Sequence, residues 1–165
     1  MSVITDYSQE ETQKLMAAPM LVSMYIMGSS LSGPIGLVKE MMAGVETAMN
    51  TAKEAAPDSV LGALFSEDNM KQQQNEMQQE TKETTLDAQN MDEAKAKMLE
   101  QVRQAVGILS SKGSSEEIAA YKKMIVDVAE NVANAAKEGG VFGIGGTLVN
   151  DAEKTAISDI QTAVA

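Results

Sequence analysis

Between Lys14 and Lys39 the chain carries no charged residue, and that gap constrains the fold more than any other feature. A bilayer-crossing helix takes about 20 apolar residues, and the stretch from Leu15 to Val38 is that long. Pro19, Gly28, Ser29, Ser30, Ser32, Gly33, Pro34 and Gly36 nevertheless divide it into an apolar block, a loop and a helix start. In lipid, such a break would leave backbone groups unpaired unless other protein covered them. Three environments could satisfy the run: the centre of a helical bundle, an interface between copies, or a membrane. Burial as a central helix is the expectation, and a membrane-active protein using 15–38 is the alternative.

The rest of the chain is patterned for helices. Ser8-Gln-Glu-Glu11 has the form of a capping box, so a first helix is expected from about Gln9 to Met27. Pro19 falls inside it and should kink it or mark the start of its apolar part. Pro34 suits the first position of a second helix, where its missing N–H would be unpaired anyway. That helix should end before Pro57 and place Leu37, Val38, Met41, Met42, Val45, Ala48, Met49 and Ala52 inward at 3.6-residue spacing. Asp58 or Ser59 could cap a short helix from Val60 to Phe65. Asn90-Met-Asp-Glu93 opens a helix with Met98, Leu99, Val102, Ala105, Val106 and Leu109 inward, ended by Gly113 in the left-handed conformation. Ser114-Ser-Glu-Glu117 opens the next, with Ile118, Tyr121, Ile125, Val128, Val132 and Ala136 on one face. Asn150-Asp-Ala-Glu153 opens the last, with Ala156, Ile157, Ile160 and Val164 inward. Aromatic residues are confined to Tyr7, Tyr25, Phe65, Tyr121 and Phe142, and no β-branched alternation is sustained, so strand chemistry is thin. The fold class is all-α: one domain over 1–165, a bundle of five or six helices, with room for one long polar helical arm.

That arm would lie in 66–90, where glutamines crowd together at Gln72 to Gln74, Gln78 and Gln79. Met70, Met77, Met91 and Met98, the last two in the following helix, recur at multiples of seven. The stripe fits a polar helix resting one edge on the bundle, a coiled-coil arm, or a linker. Thr84-Thr85-Leu86-Asp87 is its weakest helical point.

Composition closes several function classes. The formal net charge is −11, and the 13 basic residues are scattered among carboxylates, so clustered phosphate contacts are not expected and nucleic acid is not a partner. With no histidine and no cysteine there is no imidazole base, no Ser-His-Asp triad, no thiolate nucleophile and no disulfide. No E-x-x-H pair, EF-hand loop or P-loop is present. The expectation is a non-enzyme without cofactor or metal. Asp6, Glu10 and Glu11 stand where an export signal would be positive, which favours a cytoplasmic location.

Candidate contact residues come from three places. Met16, Met20, Met24 and Met27 share one helical face, suiting core packing, an adaptable partner groove or, through soft sulfur, Cu(I). Met70 and Met77 edge the glutamine-rich segment. Phe142 sits in Gly139-Gly-Val-Phe-Gly-Ile-Gly-Gly146, where Val141, Phe142 and Ile144 could plug the end of the bundle, or backbone N–H groups could meet an anion or partner near the last helix.

Two stretches, from Ser32 to Met42 and from Ala135 to Lys154, resemble a family of small uncharacterised bacterial all-helical proteins. Gly146-Thr-Leu-Val-Asn-Asp-Ala-Glu153 is also similar to helix entries of tellurite-resistance-type helical domains. Those domains carry an acidic residue where this chain has Gly145-Gly146, so no metal site carries over. The resemblance implies a bacterial helical bundle and brings no activity. The expected function is a helical interaction or structural protein that binds protein, in the first place itself.

Overall fold

The first helix, α1 (Gln9–Met27), is apolar around most of its circumference: Leu15, Met16, Ala17, Ala18, Leu21, Val22, Tyr25 and Ile26 are all buried. A helix apolar all round has to be enclosed. The computed structural model describes residues 4–29, 34–57, 59–66, 68–71, 90–135 and 149–165. Among these, α2 (Pro34–Glu54), α3 (Val60–Leu64), α4 (Met91–Lys112), α5 (Ser115–Ala135) and α6 (Asp151–Val164) each touch α1. The most extensive pairings are α2 with α5 and α1 with α4. One hydrophobic cluster runs through all six helices, and no strand occurs among the described residues. The part of the uncharged run that lies in α1, Leu15 to Met27, is therefore used as a central helix. No helix among the described residues is long and apolar enough to cross a membrane.

Helix starts follow local chemistry. Ser8 and Asn150 form complete capping boxes with Glu11 and Glu153. Ser114 and Glu117 exchange the same pair of bonds at the start of α5, at 3.3 and 2.8 Å. Each box satisfies two N–H groups that the helix cannot. This is how Glu117 and Glu153 come to be buried carboxylates. Ser59 rather than Asp58 caps α3, accepting from Gly62 N, and Asn90 caps α4.

Gly113 departs from its expected role. Its φ of −79° and ψ of 158° are extended, not left-handed. The glycine serves close approach instead: its N–H still donates to Leu109 O at 2.6 Å, and a Cβ there would lie 2.8 Å from that same oxygen. The backbone turns directly into the next cap.

Pro19 neither stops α1 nor sets its apolar start, since the helix runs unbroken from Gln9 to Met27. Proline at this position has no N–H for the carbonyl of Leu15, four residues back. The Tyr121 hydroxyl, on α5, donates to Leu15 O at 2.7 Å. Tyr121 is wholly enclosed, and burial pushes its phenol well above its ordinary pKa, so it remains a donor throughout the accessible pH range. One turn on, Ser23 Oγ donates to Pro19 O at 2.9 Å. A proline that would otherwise leave a buried carbonyl wanting becomes the point where α1 and α5 are joined.

Outside the core, the start of the chain is fastened to the end of α4. Lys112 Nζ meets Glu11 Oε2 at 2.6 Å and Asp6 O at 3.0 Å, and lies 5.3 Å from the Tyr7 ring centre. The lysine, with the Ser8 backbone N–H, holds the Glu11 carboxyl below its ordinary value near 4.5.

Two tests follow from these contacts. Tyr121→Phe should lower stability by about 1–3 kcal/mol, the range for a buried acceptor that loses its donor. In a Pro19→Ala background, where the helix supplies its own N–H to Leu15 O, the same change should cost clearly less. Denaturant melts of the four proteins give that coupling. For Glu11, a depressed pKa contributes stability above the ordinary carboxylate value and loses it as pH falls through the folded value. Acid titration followed by circular dichroism should show a component lost below about pH 4.5, and Glu11→Gln should remove it.

Candidate protein-interaction surface

The second helix carries two sets of apolar residues, and only one is buried. Gly44, Ala48 and Ala52, four residues apart, face inward together with Glu40. Met41, Met42 and Val45, expected in the core, are instead 54%, 66% and 46% exposed. Met49 is half-buried. The reason is distance of approach. A Cβ on Gly44 would collide with Ser23 Oγ of α1 and lie 3.1 Å from Val132 Cγ2 of α5. The backbone of α2 thus lies close against both helices, which only the small-residue side permits. With that side seated, the bulkier side is turned outward.

Met41, Val45 and Met49 follow each other at four-residue steps, with Met42 beside them, so they form one strip. Fully burying such a side chain is worth about 1.5–3 kcal/mol, so three left half in water forgo a few kcal/mol. Among the described residues, the other large exposed hydrophobic is Met91, at the start of α4, whose Sδ lies 3.7 Å from where a Cβ on Gly28 would be.

The opposite flank of α2 forms a polar groove with α5 of about 520 Å³. Its walls include Glu46, Glu54 and Asp127 with Thr47, Thr51, Asn50, Asn131 and Asn134. Much of this polarity is spent within the wall. Thr47 Oγ1 and Thr51 Oγ1 donate to the carbonyls of Ala43 and Thr47, Asn131 Nδ2 donates to Thr47 Oγ1, and Asp127 is paired with Lys123, whose ammonium it holds above its ordinary pKa. The described residues contain no group of three or more acidic, histidine or cysteine side chains placed to hold a metal. At the far side of the bundle, Tyr25 Oη donates to Asp159 Oδ2 at 2.7 Å with Lys95 Nζ 5.3 Å from the ring centre, a tie between α1, α4 and α6. Burial, and then Asp159, push the Tyr25 phenol up.

The candidate contact residues among the described ones, Met16, Met20, Met24, Met27 and Met70, lie elsewhere than this strip. Met16 is buried, and its sulfur accepts from Asn69 Nδ2 at 3.5 Å. Met24 and Met27 are partly buried against the core, and Met20 is half-buried. Met70, in the helical turn 68–71, also packs on the core. Met77, Phe142, the glutamine-rich run, the Thr84 to Asp87 segment and the loop from Gly139 to Gly146 lie outside the described residues. The periodicity of Met41, Met42 and Val45 points them inward because it is correct for a buried face. The sequence sign of the true arrangement is Gly44, Ala48 and Ala52 at steps of four, a face made for close approach.

If Gly44 decides which side of α2 is seated, Gly44→Ala should destabilise the protein by about 1–3 kcal/mol through overpacking, despite alanine's better helix propensity. Ser23→Ala removes the oxygen in the way, so the double variant should recover most of that loss in thermal melts.

No family model matches the chain, and neither a curated protein nor a solved structure matches it.

Proposed function

We propose that this is a non-catalytic helical interaction protein of the bacterial cytoplasm that associates with itself, using the outer strip of α2. The observation that carries this is the exposure of Met41, Met42 and Val45 together on one helix face while the rest of the large apolar side chains, Met91 apart among the described residues, are at least partly enclosed. Contiguous exposed apolar surface on a water-soluble bundle is a mark of contact with another surface. Methionine suits that use, since its unbranched thioether adapts to the shape it meets. A binding role also agrees with the polar groove, whose threonine hydroxyls donate to carbonyls of α2 itself and whose Asn131 amide reaches across to Thr47, rather than converging on a reactive point. The chain has no histidine or cysteine to take up acid–base or nucleophilic chemistry there.

Sedimentation of the purified protein over a wide concentration range is the test. The wild type should be larger than a monomer, and the triple variant Met41→Gln, Met42→Gln, Val45→Thr should be monomeric with its helicity and melting temperature kept or raised. A triple variant that unfolds would place these residues in a core, and one that associates as before would remove the strip from the binding surface.

A further inference from the structure

Methionine is the only sulfur this chain has: 13 residues, and no cysteine. The structure sorts those it describes by how far a dissolved oxidant can reach the thioether. Met16, Met98 and Met124 are enclosed, while Met20, Met24, Met27, Met49 and Met70 are partly covered. Met41, Met42 and Met91 stand open, and two of those three are consecutive on α2. We propose that Met41 and Met42 form an oxidation site for hydrogen peroxide, at which conversion to sulfoxides reversibly disperses the self-associated protein. The dispersal rests on the self-association proposed above; the order in which the methionines react rests on exposure alone.

Conversion is a two-electron step. A sulfur lone pair attacks one peroxide oxygen, and an S–O bond forms as the O–O bond breaks. The displaced hydroxide takes the proton of the transferred hydroxyl and leaves as water, so sulfur is oxidised and peroxide reduced. Two thiols, acting through a sulfoxide reductase, reverse the step by becoming a disulfide and releasing the oxygen as water. No thiol on the chain competes for the peroxide.

Position decides what the added oxygen does. A sulfoxide turns a flexible apolar side chain into a polar one, and inside a core that disrupts packing. On α2 the two sides of the helix keep these effects apart. Its seated side, with Glu40, Gly44, Ala48 and Ala52, carries no sulfur, so its contact with α1 and α5 is untouched. Its outer strip owes two of its three exposed apolar side chains to methionine, with Val45 as the third. Oxidation therefore removes most of the strip's apolar surface and leaves the fold standing.

Peroxide treatment of dilute protein, where the strip is uncovered, tests this when followed by peptide mass mapping and sedimentation. Sulfoxide should accumulate at Met41 and Met42 about tenfold or more faster than at Met16, Met98 and Met124, which meet the oxidant only when the protein opens. Circular dichroism should not change. The oxidised protein should associate about tenfold or more weakly, and a thiol-driven sulfoxide reductase should restore it. Met41→Leu with Met42→Leu keeps the strip apolar without the sulfur, so it should associate like the wild type and be insensitive to peroxide. Met91→Leu should be dispersed as the wild type is. Equal dispersal of the double leucine variant by peroxide would assign the effect to other methionines and overturn the proposal. So would equal oxidation of enclosed and exposed methionines with loss of helicity. A wild type that associates, and still does so with both residues fully oxidised, overturns this inference and leaves self-association standing. A wild type that is monomeric before any peroxide is added overturns both.

Discussion

The hydrogen bond from Tyr121 to the Leu15 carbonyl is the contact on which the architecture turns. The first helix has no polar face to give to water through its apolar half, so it must be surrounded, and it also contains a proline that withholds one backbone donor. An enclosed carbonyl short of a donor is among the more costly defects a core can hold. Supplying the donor from α5 removes the defect and fixes the height and rotation of α5 against α1. A neutral phenol does this without bringing charge inside, and full enclosure keeps it neutral.

Once α1 and α5 are set, α2 has little choice. It must lie against both, and Gly44 between Ser23 and Val132 is what allows its backbone to come near enough. Burying the small side means presenting the large one. The exposed strip is therefore a consequence of how the centre is packed. The polar groove on the other flank follows from the same placement, with the Asn131 amide of α5 donating to the Thr47 hydroxyl of α2 across it. Core and surface are in this sense one solution.

Much of this is legible from residues alone, and the parts that are not share a physical character. Ser8, Asn90, Ser114 and Asn150 could be read as helix starts because a cap is decided within four residues. The inward faces of α4, α5 and α6 could be read because each has a single apolar side. Helix α2 has two, and which is buried depends on how near its neighbours come, a quantity periodicity does not contain. Pro19 points to a kink or to the start of the apolar part because its remedy stands 106 residues away. Gly113 read as a left-handed stop because that is the usual reason for glycine there, whereas its use is room beside Leu109. The candidate surface was hidden for the same cause as α2: the methionines of α1 have the more conspicuous spacing, yet Met16 is enclosed and Met24 and Met27 lean on the core.

The central claim is that α1 is the enclosed axis of the bundle, and amide hydrogen exchange addresses it most directly. If α1 is surrounded on all sides, the amides of Leu21, Val22 and Ile26 should exchange only when the whole protein unfolds. Their free energies of exchange should equal the global unfolding free energy from denaturant melts and should match the slowest amides of α5. Exchange of those three amides well ahead of α5, at a free energy far below the global value, would show that α1 opens on its own and would contradict the account.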